Sequence, residues 1–204
     1  MSISWKGVFP AFTTKFTAND TLDLALFEKG LQSQLDAGVD GIVLGGSLGE
    51  ASTLTTEEKE TLVKLAIEIA GPVPVVLNIA EGATKEAIKQ AALGKSWGVK
   101  GLMLLPPMRY KPDARETFTF FKTVARSTDL PIMIFNNPVD YKTEVTPDIF
   151  EQLLECDNIQ AVKESTRDVS NVTRLINRFG DRYKILCGVD TLAMEELLMG
   201  ADGW

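Results

Sequence analysis

Gly38-Val39-Asp40-Gly41-Ile42 recurs as Gly98-Val99-Lys100-Gly101-Leu102 and again as Gly200-Ala201-Asp202-Gly203-Trp204. In each copy the first glycine follows a helical pattern and suits a left-handed C-cap, while the second opens a strand. Working outward, short apolar runs lie at 8–12, 42–44, 73–77, 102–105, 132–135, 159–162 and 185–187. Each is too short for a helix and is bounded by Gly or Pro, which predicts buried strands. Between them, Leu24, Phe27, Leu31 and Leu35 share a helix face, as do Leu62, Leu65, Ala66 and Ile69. Phe118, Phe121 and Ala125 form another such face, and Val172, Leu175 and Ile176 a fourth. Thr55 with Glu58 and Asp113 with Glu116 have capping-box spacing, and Thr146-Pro147 reads as an N-cap followed by Pro at the first helical position.

Strands alternating with helices imply a parallel α/β sheet. The repeats predict seven strand–helix units and the start of an eighth. A doubly wound sheet usually needs fewer strands, so the expected fold is a single (β/α)8 TIM barrel domain over residues 1–204, ending at the start of the eighth strand. The C-terminal strand and outer helices of such a barrel, typically ~250 residues in all, are then missing. Two strand edges are expected to lack partners.

Composition narrows the function. A net charge of −7 and the lack of a basic stretch argue against nucleic acid. No long apolar span or leader-like start is seen, which points away from membranes and toward a cytoplasmic protein. Cys156 and Cys187 lack CxxC spacing, and Cys187 sits in an apolar run as a core residue. There is no histidine, which removes Ser-His-Asp and Cys-His machinery and most zinc sites.

Three segments carry chemistry. Ile159-Gln160-Ala161-Val162-Lys163-Glu164-Ser165 puts a lysine at a strand end, where barrels place catalysis. Desolvation favours its neutral, nucleophilic amine, although on this segment alone a lysine snorkelling into water is the simpler reading. Gly45-Gly46-Ser47-Leu48-Gly49-Glu50 follows the second run and can turn N–H groups toward a carboxylate; alone it reads as a tight turn. Phe135-Asn136-Asn137-Pro138 ends the fifth run, where turn capping is the expected role of the asparagines. Arg109, Tyr110 and Tyr141 read as surface loop residues, and Glu57, Glu58 and Glu60 as a solvated helix start.

In order and spacing, Gly46-Ser47-Leu48-Gly49-Glu50, Phe135-Asn136-Asn137-Pro138 and Val162-Lys163-Glu164 resemble the dihydrodipicolinate synthase and N-acetylneuraminate lyase family, from Gly7-Val8-Phe9-Pro10 to the last residue. The resemblance implies a (β/α)8 barrel, a homo-oligomer (commonly a tetramer), no cofactor or metal, and a lysine imine with pyruvate or another 2-oxo acid. By position, Lys163 would be the imine lysine, while Gly46, Ser47, Leu48 and Gly49 would bind the substrate carboxylate. Three positions depart from the family pattern. Phe135 stands where a Tyr hydroxyl relays protons, Leu48 where the synthases carry a second Thr, and Asp140 where they carry an Arg for the carboxylate of aspartate semialdehyde. An Asp there repels that carboxylate.

The start Ser4-Trp5-Lys6-Gly7-Val8-Phe9-Pro10 and the stretch Asn136-Asn137-Pro138…Tyr141-Lys142 look more like the branch that deaminates 1-pyrroline-4-hydroxy-2-carboxylate. The expected function is therefore a Schiff-base lyase acting on a small 2-oxo acid or cyclic imino acid by dehydration, deamination or aldol cleavage. One alternative is an impaired family member that only binds such an acid; another is dihydrodipicolinate synthase proper. A third, from a different class, is an unrelated α/β binding protein in which Lys163 is incidental. For the hydroxyl missing at Phe135, either Tyr110, Tyr141 or a held water relays the proton, or the chain is a slow variant. A one-atom change among family-like neighbours favours the slow variant.

Overall fold

The structure is a computed structural model that describes residues 3–108 and 110–204, so Arg109 lies outside the described residues. Six parallel strands form one curled sheet in chain order: β1 Ile42–Leu44, β2 Val75–Ile79, β3 Gly101–Leu104, β4 Ile132–Asn136, β5 Ile159–Glu164 and β6 Lys184–Cys187. Helices fill the crossovers: α1 Leu24–Asp36, α2 Thr56–Ala70, α3 Thr84–Trp97, α4 Ala114–Ala125, α5 Pro138–Tyr141, α6 Pro147–Gln152, α7 Ser170–Phe179 and α8 Ala193–Leu198. No described helix is long and apolar enough to cross a membrane.

The sheet is buried on both faces, as a parallel sheet under helices requires. Alternation along each strand sorts the side chains into two cores. On β4, Ile132 and Ile134 join the outer core against the helices, while Met133 and Phe135 join an inner core with Trp5, Phe9, Val43, Val76, Met103 and Ala161. Phe135 is in register with Lys163 on β5, and Lys163 with Leu186 on β6. Lys163 therefore shares the inner face with Phe135 and Leu186.

Two features correct the expected strand count. The run at 8–12 forms no extended strand; it contributes only a parallel bridge from Ala11 to Val43, with a further bridge from neighbouring Gly7 to Gly203. Its proline limits it, since Pro10 has no N–H to give to a ladder. The third glycine repeat also does more than start an eighth strand. Gly203 bridges Leu186 on β6 and Gly7 near the N-terminus, with Trp204 N–H donating to Gly7 O at 2.9 Å and Phe9 N–H to Trp204 O at 2.7 Å. The two expected free edges thus meet partners over these few residues. A Cβ at Gly203 would stand 2.2 Å from the Gly7 carbonyl oxygen, so only glycine permits this approach.

The first glycines of the repeats, Gly38, Gly98 and Gly200, all have positive φ, between 81° and 106°, as left-handed helix ends require. Both capping boxes are present, at Thr55–Glu58 and Asp113–Glu116. Thr146 precedes Pro147 as expected but makes no side-chain cap bond. Helix α3 has no counterpart in the sequence reading. Its buried face is Ala87, Ala91, Gly94 and Trp97, mostly residues too small to mark an apolar stripe.

Candidate active site

Lys163 stands near the carboxyl end of β5, and its ammonium nitrogen lies 4.7 Å from the centroid of the Phe135 ring. Burial holds the lysine below its ordinary value of 10.5, against the opposing pull of Asp190 and Cys187. The amine faces this aromatic ring and, among the described residues, has no ion-pair partner at short range. Burial and the lack of such a partner both favour the neutral amine, the form that attacks a carbonyl.

The amine opens into a cavity of about 750 Å³ whose lining includes Leu48, Asn137, Asp140, Ser165, Arg167 and Asp190. Gly188 lets the end of β6 close against the lysine: a Cβ there would stand 2.0 Å from Ser165 Oγ and 2.9 Å from Lys163 Cε. Ser165 is 2% exposed, and its Oγ has no hydrogen-bond partner among the described residues. A buried hydroxyl without a partner is costly, and one beside a nucleophilic amine is available to a ligand oxygen.

The turn after β1 is held at both ends. Asn78 Nδ2 donates to Gly45 O at 2.8 Å and Thr14 Oγ donates to Gly49 O at 2.7 Å. Within the turn, the N–H groups of Gly49 and Ala51 bond to Gly46 O, and that of Glu50 to Ser47 O. The N–H groups of Ser47 and Leu48 make no bond among the described residues, which leaves two adjacent donors for an anion. Gly46 and Gly49 are buried, whereas Ser47 and Leu48 are exposed. Ser47 Oγ is hydrogen-bonded to the Tyr141 hydroxyl. Tyr141 in turn packs edge-on against Phe135, ring centroids 5.6 Å apart. Tyr141, expected to be a loop residue, is thus part of the site.

The asparagines behave as turn formers. Asn136 is fully buried and exchanges bonds with Val145, accepting its N–H at 2.9 Å and donating to its carbonyl at 3.2 Å. Asn137 caps the short helix α5 by accepting the Asp140 N–H at 3.1 Å, and its Nδ2 fixes Asp140 Oδ2 at 2.8 Å. Asp140 does not stand alone: Arg167 lies 3.9 Å away, in a left-handed conformation (φ 64°), and both line the cavity. The repulsion expected from Asp140 is therefore offset by a cation that the sequence did not place there. Behind Lys163, Glu164 is fully buried, held by Thr166 N–H at 2.7 Å and Asn171 Nδ2 at 2.8 Å; its carboxyl is pushed up by burial despite these bonds. The Cys187 thiol is pushed up to about 12 by burial, which agrees with its reading as core.

The profile of the Dihydrodipicolinate synthetase family matches residues 4–204. The chain belongs to this family. Its members are lyases. Among curated relatives, a 4-hydroxy-tetrahydrodipicolinate synthase of Exiguobacterium sibiricum is 36% identical over 200 residues, covering 98% of this chain and 68% of the relative. The enzyme of the same name from Aquifex aeolicus is 33% identical over 201 residues, again covering 98% and 68%. The crystal structure of the Aquifex dihydrodipicolinate synthase superposes with a TM-score of 0.92, covering 97% of this chain and 68% of that one. The pyruvate complex of the dihydrodipicolinate synthase from Acinetobacter baumannii superposes with a TM-score of 0.94 at 29% identity, covering 98% and 69%. Family membership agrees with the resemblance read from the three motifs, and the matched relatives share the α/β architecture seen here.

Proposed function

We propose that the chain is a Schiff-base lyase whose Lys163 amine attacks the keto carbon of pyruvate or a related 2-oxo acid. The observation that carries this is the desolvated Lys163 amine, at a strand end and open to a cavity. The adjacent N–H groups of Ser47 and Leu48 supply the carboxylate contact, and Ser165 Oγ a further hydrogen bond. Solved relatives in complex with pyruvate support the substrate class. The protonated imine is an electron sink, so a neighbouring carbon can lose a proton and attack an aldehyde, or lose water or ammonia. The domain is read as one (β/α)8 barrel closed through Gly203, and the oligomer as a homo-oligomer, commonly a tetramer in this family.

Two fates of the imine are kept. Condensation with an aldehyde acid, as in the synthases, is supported by the relatives' names and by Arg167, whose guanidinium at the mouth suits a second carboxylate. Deamination or dehydration of a hydroxylated imino or 2-oxo acid is favoured by Asp140, fixed by Asn137 in the cavity lining, and by Leu48, which has no hydroxyl. Borohydride with pyruvate, read by intact mass, should add one reduced adduct, and Lys163→Ala should abolish it. An adduct that survives in the alanine variant sinks the assignment. Turnover of pyruvate with aspartate semialdehyde, set against turnover of 1-pyrroline-4-hydroxy-2-carboxylate, then separates the two fates.

A further inference from the structure

The Phe135 ring covers the Lys163 amine and carries no hydroxyl, yet imine chemistry needs a group that gives and takes protons at the keto oxygen. There is no histidine to do it. A phenol adjoins this ring: Tyr141 packs on Phe135, and its hydroxyl meets Ser47 Oγ. Ser47 belongs to the turn whose Ser47 and Leu48 N–H groups are unbonded among the described residues, and Leu48 and the α5 residue Asp140 line the cavity. In a 2-oxo acid the carboxylate is bonded directly to the keto carbon. A substrate that seats its carboxylate on the Ser47 turn and its keto carbon at Lys163 can turn its keto oxygen toward the Ser47–Tyr141 pair.

We infer that Tyr141, with Ser47, is the proton relay of this site and replaces a hydroxyl that Phe135 lacks. This rests on the proposed imine at Lys163. The nitrogen lone pair of Lys163 forms the C–N bond, and the carbonyl π pair moves to oxygen. Tyr141 gives its proton to that oxygen, and the resulting phenolate takes one from the nitrogen, leaving a neutral carbinolamine. Tyr141 then protonates the hydroxyl. The C–O bond breaks, water leaves and the nitrogen lone pair forms the C=N bond of the iminium. The phenolate next removes a proton from the adjacent carbon, giving the neutral enamine and restoring the phenol. Each proton given is recovered, and no oxidant or second reactant enters. Ser47 is the positioning residue, holding the phenol oxygen by its hydrogen bond.

The test follows exchange of the pyruvate methyl protons in D₂O by NMR, alongside borohydride trapping and thermal melting of the same variants. Tyr141→Phe is expected to slow exchange by ~10²-fold or more, to leave the melting temperature unchanged, and still to yield the Lys163 adduct on long incubation. Adding Phe135→Tyr to Tyr141→Phe should restore exchange to within about tenfold of the parent, because the two rings adjoin; a purely structural loss is not rescued in this way. Exchange in Tyr141→Phe at the parent rate overturns the relay. So does slowed exchange that comes with a lowered melting temperature and is not restored by Phe135→Tyr, or adduct without exchange in the parent. A parent that forms no adduct with any 2-oxo acid defeats the imine reading itself, and the relay with it.

Discussion

At the scale of single residues, burial of ionisable groups makes the sharpest predictions. Burial lowers Lys163 when the chain folds, so the unfolded chain binds more protons than the folded one below the ordinary value of 10.5. Stability lost to burying the cation is regained as pH rises. Lys163→Met should thus remove the borohydride adduct while holding or raising the melting temperature at neutral pH, with the gain shrinking toward alkaline pH; a large loss of stability would contradict the desolvated amine. Glu196 on α8 behaves in the opposite sense. It is fully buried, both its oxygens lack partners among the described residues, and burial raises it to about 7. An acid raised on folding stabilises the protonated form, so its contribution is present below 4.5 and is lost as pH rises toward 7. Glu196→Gln should flatten this fall and stabilise the chain above pH 7 by up to about 3 kcal/mol, as read by urea melts across pH 5–8. Equal pH profiles for parent and variant would refute it.

At the scale of elements, helix ends and turns position the site. Thr55 and Glu58 close the N-terminus of α2, which follows the Ser47 turn; Thr55→Ala should cost about 1 kcal/mol in chemical denaturation without altering imine trapping. The sequence showed this helix start because a capping box is a local pattern. It did not show α3, whose contact face is mostly Ala and Gly and whose burial depends on the neighbouring sheet. Strand bounds also moved: the run at 73–77 became β2 Val75–Ile79, because register with β1 and β3, not local hydrophobicity, decides where pairing starts.

At the scale of the whole molecule, Gly203 joins the β6 edge to the N-terminal segment at Gly7. Gly203→Ala places a methyl group against the Gly7 carbonyl and should cost about 1–3 kcal/mol by overpacking, lowering the melting temperature by roughly 3–10 °C in a chain of this size. A variant that melts with the parent would show that the Gly7–Gly203 bridge contributes little to stability.

By itself the sequence determined the alternation of strands and helices, the left-handed glycines of the repeat, both capping boxes, the family, and Lys163 as the residue of chemical interest. All of these are local patterns or ordered motifs, and each depends on backbone conformations that near neighbours set. Only the tertiary structure brought Tyr141 to Ser47 across 94 positions of chain, and Arg167 to Asp140. It alone left Ser165 Oγ, beside the lysine, without a partner among the described residues and turned the last glycine repeat into a bridge between β6 and Gly7. These are contacts between elements far apart in sequence, fixed by register and sheet curvature, which no run of neighbouring residues encodes.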